Sequence, residues 1–467
     1  MRRKPLFPPP VDATSGKKKR NKGKQPTTVL TINGRVRLRR TWWHSAGDGS
    51  EAPIDRVLSR DGATVTRGVC ELACRLNNDA AGFDKAADNL KRAAQVAMSG
   101  EQLRLIVLSE GQRVLAAQQA NAVKPSFTAR DCRVKQDVTP AAPAATTATA
   151  TTSASVTSAA AELVGVPIPK LVTSLASPSR PSVSAASGSP SSTPVKTRMY
   201  VGVDGVMVPV VTDSEKQKRR EKVVAKRRVA ARPGRPRVPL PPRRRGADQS
   251  YKEFKTITFY DESNEHHHVL LSRVRRPQVG SLLRREATRL KFLEANERIT
   301  NVDGASWIPP QLDAAHLQLH GRGLDFYHLA ENVHEARRSV FGSENSAGQT
   351  WAATLLHTFK HDGYEAAHEQ LLKWLTPLRG HKRAAAKKLL NYITERRDMI
   401  NYPEFTTNGW QLGSGPTEAR CKTGTTRLKR SGARWNLDNA ESVAALTNLR
   451  DSDQWQPYWT TPNAAKL

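Results

Sequence analysis

Two β-rich runs flank Asn33-Gly34 in TVLTINGRVRLRRTWW (28–43), which predicts a hairpin with a type I′ turn, since that turn needs positive φ at both central positions. From 66 to 120 apolar residues recur at spacings of three and four, through Val69, Leu72, Ala73 and Leu76 and again through Leu103, Ile106, Val107 and Val114. That is the helical period. Ser99-Gly100-Glu101-Gln102 has the S-x-x-Q form of a capping box and marks the start of the last of these helices. Helices at about 81–97 and 100–118 have the length and short connection of a helix-turn-helix, although any small helical bundle shares them.

Patterning then stops. Residues 137–196 are rich in Ala, Thr, Ser and Pro and hold no aromatic residue, so little can be buried against the entropy of ordering them. This predicts a disordered linker, and the Pro- and Lys-rich residues 1–26 predict a disordered basic tail. Patterning resumes at TRMYVGVDGVMVPVV (197–211), an apolar strand broken by Asp204-Gly205. A basic, Pro-rich insert (213–250) follows. Strands are expected at 251–260 and 266–274, a helix at 279–297, and strands at 298–308 and 323–326. A long helical stretch covers about 327–410, and the final helices begin after LGSGP (412–416). Three adjacent strands followed by alternation predict an α+β or mixed α/β fold, with a mixed sheet rather than a doubly wound parallel one. The domain plan is a small hairpin-plus-helices region (27–136), the linker, and a larger sheet domain (197–460).

Charge narrows the partner. Against 74 Lys and Arg stand 43 Asp and Glu, a formal net charge of +31 over 467 residues, with a pI near 10.4. Such an excess raises self-repulsion and points to a polyanion, with nucleic acid first. No apolar run is long enough to span a membrane, and the charged N-terminus has no secretory h-region. Four cysteines without a CxxC pair make no disulfide framework or zinc knuckle, and suit a reducing cytoplasm.

Three carboxylates stand where chemistry on phosphate would want them. Asp204 ends one apolar strand in VGVDGV, Asp303 ends another in TNVDGASW, and Glu418 lies just inside the helix after GSGP. Each has glycine beside it, which admits a close backbone or ligand. Singly, an Asp-Gly is a turn, and Glu in a first helical turn is favoured by the helix dipole. Together they form an oxygen-only set suited to Mg²⁺ or Mn²⁺, and two such ions can hold both oxygens of a phosphodiester exchange. After Glu418 come Lys422, Arg427, Lys429, Arg430 and Arg434, with Trp435 behind them: candidate phosphate contacts.

VGVDG, VDGASWI, LDFYH and LGSGPTEARCKTGTTRLKRSGARWN resemble the signature blocks of bacterial insertion-sequence transposases of the ISKra type, which are Mutator-like DDE enzymes. The resemblance is strong over about 197–460 and weaker over 28–120. It implies an RNase H-like core with a helical insertion at about 327–410, and Asp204, Asp303 and Glu418 as the metal-holding triad. It also implies Asp325 and His328 as a DxxH pair. Asp325 competes with Asp303 for the second triad position; Asp303 is favoured by its long apolar approach strand. The expected activity is cleavage and strand transfer on double-stranded DNA, at element ends and target, by a homodimer or larger assembly on the bacterial nucleoid. A non-catalytic DNA-binding descendant and an RNase H-like nuclease without strand transfer are the alternatives.

Overall fold

The structure, a computed structural model, describes residues 7–58, 64–134, 196–211, 213–230 and 251–460. The chain begins with a long hairpin, β1 (Arg20–Thr31) and β2 (Gly34–Ser45), extended by a short β3 (Gly49–Glu51) into a three-stranded antiparallel sheet. Residues 20–26 therefore belong to a strand and not to a disordered tail; Arg20, Asn21 and Lys24 to Pro26 pair with Arg39–Thr41, Trp43 and His44. The hairpin closes with Thr31 opposite Gly34, and only Gly34 takes positive φ (+100°), so the turn is not the expected type I′.

After α1 (Asp55–Leu58) come α2 (Arg67–Asp79), α3 (Phe83–Ala94) and α4 (Gly100–Gln119). The capping box forms: Ser99 Oγ accepts from Gln102 N–H, and Gln102 Oε1 accepts from Ser99 N–H, both at 3.1 Å. Residues 135–195, which hold all but the last residue of the expected linker (137–196), lie outside the described residues.

The second sheet opens with β4 (Arg198–Pro209). It runs unbroken through Asp204-Gly205, because each residue from Met199 to Pro209 pairs with β5. The expected turn at Asp204-Gly205 is absent; β-pairing on both sides of the dipeptide outweighs its turn preference. Helix α5 (Asp213–Ala230) carries the first part of the basic insert, and 231–250 lie outside the described residues. Next come β5 (Tyr251–Asp261), β6 (His267–Ser272), α6 (Val279–Arg289), β7 (Glu297–Val302), α7 (Ile308–Ala315) and β8 (Gly321–Leu324). The strand order is β6-β5-β4-β7-β8. The first three strands are antiparallel, and β7 and β8 run parallel to β4, which makes a mixed sheet. The strand expected over 298–308 stops at Val302, and Pro309 and Pro310 sit in the first turn of α7, where a missing N–H costs nothing.

Helices α8 (Phe326–Phe341), α9 (Ser346–His361), α10 (Tyr364–Leu375), α11 (Gly380–Thr394) and α12 (Tyr402–Thr407) fill the expected helical stretch. The chain then returns to the sheet as α13 (Gly415–Thr425), α14 (Leu437–Asp451) and α15 (Trp455–Thr460). Side-chain alternation divides β4 between the two faces. Met199, Val201 and Val203 join the apolar core with α6, α7 and α8, while Tyr200, Val206 and Val208 face the opposite side.

Helices α2 to α4 share their core with α14 and α15: Leu103, Val107 and Val114 pack in one cluster with Val443, Leu446 and Trp455. Gly111 lies so close to Ser442 that a Cβ there would overlap the Ser442 carbonyl. Arg67 donates to Tyr458 O (2.7 Å) and Arg450 pairs with Asp79 (2.8 Å). Residues before 134 and after 196 thus build one unit. The face that α4 would need for reading a groove is in large part spent on α14. Among the described residues, no helix is long and apolar enough to cross a membrane.

Candidate functional site

Register brings three aspartates to one level. Pairing of β4 with β7 aligns Arg198 with Glu297 and Val201 with Thr300, and the same step carried on sets Asp204 beside Asp303. Pairing of β7 with β8 aligns Val302 with Leu324, so Asp325 follows beside Asp303. All three occupy the sheet face of Tyr200 and Ile299, since side chains alternate along each strand.

That face has been cleared for a helix. A Cβ on Gly202 would overlap Thr417 Oγ1, and Cβ atoms on Gly321 and Gly323 would press on Trp410 and Phe405. The small residues below the aspartates thus let α12, the segment after it, and α13 lie directly on the sheet. Helix α13 brings Cys421 over Asp204, with Glu418 one turn earlier on the same helix.

Each carboxylate has a different surrounding. Asp204 is half-buried, and its Oδ2 accepts from the Cys421 thiol at 3.1 Å while Oδ1 accepts from Gly205 N–H. Burial raises its carboxyl above the ordinary value; the thiol opposes this, and the negative charges of Asp303 and Glu418 add to it. The Cys421 thiol is itself pushed up, by burial first and then by Asp204, so it stays protonated. Asp303 is half-buried, and its Oδ1 accepts from Ala305 N–H (2.9 Å). Glu418 is exposed; its Oε1 accepts from Ser414 Oγ (2.8 Å) and pairs with His328 Nε2 (3.2 Å).

Asp325 is buried and caps α8. Its Oδ1 accepts from the N–H groups of Tyr327 (2.7 Å) and His328 (3.0 Å), and its Oδ2 from Ser414 N–H. It therefore fixes the start of α8 and the approach to α13 together. The imidazole of His328 reaches Glu418 and Glu331. Burial would lower its pKa, but the charges of Asp325, Glu418 and Glu331 outweigh this and raise it.

By charge and donor type, Asp204, Asp303 and Glu418 suit a hard divalent cation: all donors are carboxylate oxygens, and the charges bearing most on Asp204 are negative. Among the described residues no three metal-ligating side chains converge on one point. The Cys421 thiol occupies one oxygen of Asp204, and Ser414 and His328 hold Glu418.

The basic residues after Glu418 divide into two groups. Lys422, Lys429, Arg430 and Arg434 are exposed. Arg427 and Trp435, expected among the phosphate contacts, are buried instead. The Arg427 guanidinium lies between the rings of Phe83 (4.8 Å) and Trp435 (5.0 Å) and donates to Asn77 Oδ1 (3.3 Å). Burial, aided by Arg430, lowers its pKa to about 10. It ties the segment after α13 to α2 and α3. Sequence reasoning also missed Cys421 and Ser414 as partners of the carboxylates. Cys421 was findable, because it is one turn beyond Glu418 and so shares its helix face.

No protein-family model matches the chain, and no curated protein is similar to it.

Proposed function

We propose that this chain is a DDE-type DNA transposase whose mixed sheet is an RNase H-like core. The observation that carries the reading is the register of β4 with β7, which sets Asp204 level with Asp303 just beyond the end of β7, with Glu418 on a helix laid on the same face, in a chain of net charge +31. The partner is double-stranded DNA, element ends and target, with two copies of the chain or more acting together on the bacterial nucleoid.

Asp204, Asp303 and Glu418 are the residues that would hold Mg²⁺ or Mn²⁺. Such a cation, when bound, makes a water or 3′-OH nucleophilic and stabilises the leaving oxygen. The chain's own residues prepare the place. Cys421 and Gly205 hold the Asp204 carboxylate, Asp325 fixes the strand-to-helix junction beside it, and His328 and Ser414 keep Glu418 at the rim. Exposed Lys422, Lys429, Arg430 and Arg434 on and after α13 supply the charge that draws a phosphate backbone. One observation favours a second reading, a non-catalytic DNA-binding protein: Glu418 is engaged away from Asp204 and Asp303.

The test is Mn²⁺- or Mg²⁺-dependent cleavage of the DNA flanking the coding gene, followed by joining of a labelled 3′-OH end. Loss of both with EDTA and in Asp204→Asn and Glu418→Gln supports the transposase. Cleavage without joining indicates a nuclease. DNA binding with no cleavage in any metal indicates the non-catalytic reading.

A further inference from the structure

We infer that the β1–β2 hairpin is a DNA-binding blade that enters the major groove of duplex DNA through one face, and that this face, rather than α3 and α4, is the main contact of the N-terminal region. The inference rests on the DNA reading above and names the surface responsible.

One face of the blade is occupied; the other is covered only at its turn end, where Leu30 opposite Arg35 is buried against α2 to α4, and is bare from there toward the open end. On the first, Arg40 pairs with Asp55 and lies over the Trp42 ring (4.8 Å), while Ala52, in the segment after β3, is buried. The other carries Arg35, Arg37 and Arg39 at alternate positions of β2, with Lys24 in register from β1. These four are exposed and form no ion pair with any described residue. From Arg20 to Ser45 there are seven Lys and Arg and no Asp or Glu, and among the described residues only Arg40 of the seven has an acidic partner.

Both ends of the blade are fixed. At the turn, Leu30 N–H donates to Thr64 O (2.6 Å), Leu30 O accepts from Thr66 N–H (2.9 Å), and Ile32 packs over Gly68. At the open end, the buried Lys19 ammonium sits between Asp48 and Glu51, each at 2.9 Å. A face held this way presents its arginines with little ordering cost.

Shape selects the partner. Two strands with their side chains fit a major groove about 12 Å wide. Twelve strand residues span roughly 40 Å, close to one turn of B-DNA at ~34 Å. The deep, narrow major groove of A-form RNA does not admit such a ribbon. A protein strand adding to the edge of β1 is disfavoured by Pro26, which has no N–H, and by the irregularity at Asn21–Lys24 with Gly23 at φ +88°.

The experiment measures binding of the full chain to a 40-base-pair duplex over a salt series, for wild type, Arg35→Ala/Arg37→Ala/Arg39→Ala, and Lys222→Ala/Arg227→Ala/Arg228→Ala. The last removes the same charge from α5. Expected is a loss at least tenfold larger for the blade variant, with its slope of log K against log salt shallower by about two to three. Duplex whose major groove is filled by glucosylated hydroxymethylcytosine should bind weakly, netropsin in the minor groove should interfere little, and duplex RNA of equal length should compete poorly. Equal losses in the two variants, or none, overturn the inference while wild-type DNA binding keeps the broader reading standing. Blockade by netropsin but not by glucosylation overturns the groove assignment. A wild-type chain that does not bind duplex DNA at low salt overturns the DNA reading and the inference with it.

Discussion

The thiol of Cys421 donates to Oδ2 of Asp204 across 3.1 Å, from a helix to the middle of a buried strand. It links α13 directly to Asp204, and burial keeps it protonated. Cys421→Ala should cost on the order of 1 kcal/mol of stability and several-fold in cleavage, because Asp204 loses a fixed orientation. Cys421→Ser, which keeps a donor, should restore most of the activity. Native protein should leave Cys421 slow to react with iodoacetamide, as judged by peptide mass mapping. A fast-reacting Cys421 would contradict its protonated, buried state.

Gly202 and Thr417 set how close α13 comes to the sheet. Gly202→Ala should push the helix outward, displacing Glu418 next to Thr417, and reduce cleavage by ~100-fold with a smaller loss of thermal stability. Thr417→Ala alone should be mild, and Gly202→Ala/Thr417→Ala should recover part of the activity. Strict additivity of the two changes in a double-mutant cycle would argue against the contact.

Much of this was legible in the sequence because local pattern and final environment agree. The hairpin at Asn33-Gly34, the Ser99 capping box and the order of the strands of the second sheet followed from period and punctuation, whereas α5 in the basic insert and α7 between β7 and β8 did not. Asp204-Gly205 misled because a turn dipeptide sits in a strand whose pairing on both sides overrides it. Arg427 and Trp435 misled for a different reason. A basic cluster looks solvated in one dimension, and nothing in the sequence says that Phe83, some 340 residues earlier, closes over it. The packing of α4 on α14 is equally non-local: the helical period marks an apolar face but not which face it meets.

That packing has a measurable consequence. Gly111→Ala should lower stability by roughly 2–3 kcal/mol, since a Cβ would overlap the Ser442 backbone, which cannot move aside as a side-chain end can. Denaturation followed by fluorescence and by circular dichroism should give coincident transitions, because helices before 134 and after 196 share a core. Two separate transitions would show that they fold independently.

Glu286 gives a pH signature. It is buried against His268 (3.0 Å), Arg285 (2.6 Å) and Arg289. Burial would raise its carboxyl, but the His268 hydrogen bond and these positive charges bring it down to about 2. A carboxyl lowered by folding adds stability that is present above its unfolded value and lost as pH falls through the folded one. The contribution is on the order of 3 kcal/mol at neutral pH, with about 2 kcal/mol gone by pH 3. Urea unfolding at pH 6 and pH 3 should therefore show a smaller difference in Glu286→Gln than in wild type. An unchanged difference would mean that the carboxylate is not held this way.

The last prediction separates two neighbours in the row. Asp325 accepts with both oxygens, from Tyr327 and His328 on one side and Ser414 on the other, so an amide in its place must turn an N–H₂ toward a backbone N–H. Asp303 accepts through Oδ1 from Ala305, a bond that asparagine can keep, and it is half open to solvent. Asp325→Asn should accordingly lower stability by about 1–3 kcal/mol and weaken cleavage through the displaced Ser414–Glu418 segment, with activity recovering at lower temperature. Asp303→Asn should fold and bind DNA like wild type, yet fail to cleave in Mn²⁺ at any temperature, because a charged oxygen ligand is gone. The two variants, compared for melting temperature, DNA affinity and cleavage in one buffer, decide the assignment. If Asp303→Asn cleaves normally while a fully folded Asp325→Asn is dead, the second position of the site belongs to Asp325, and the buried cap is the metal ligand.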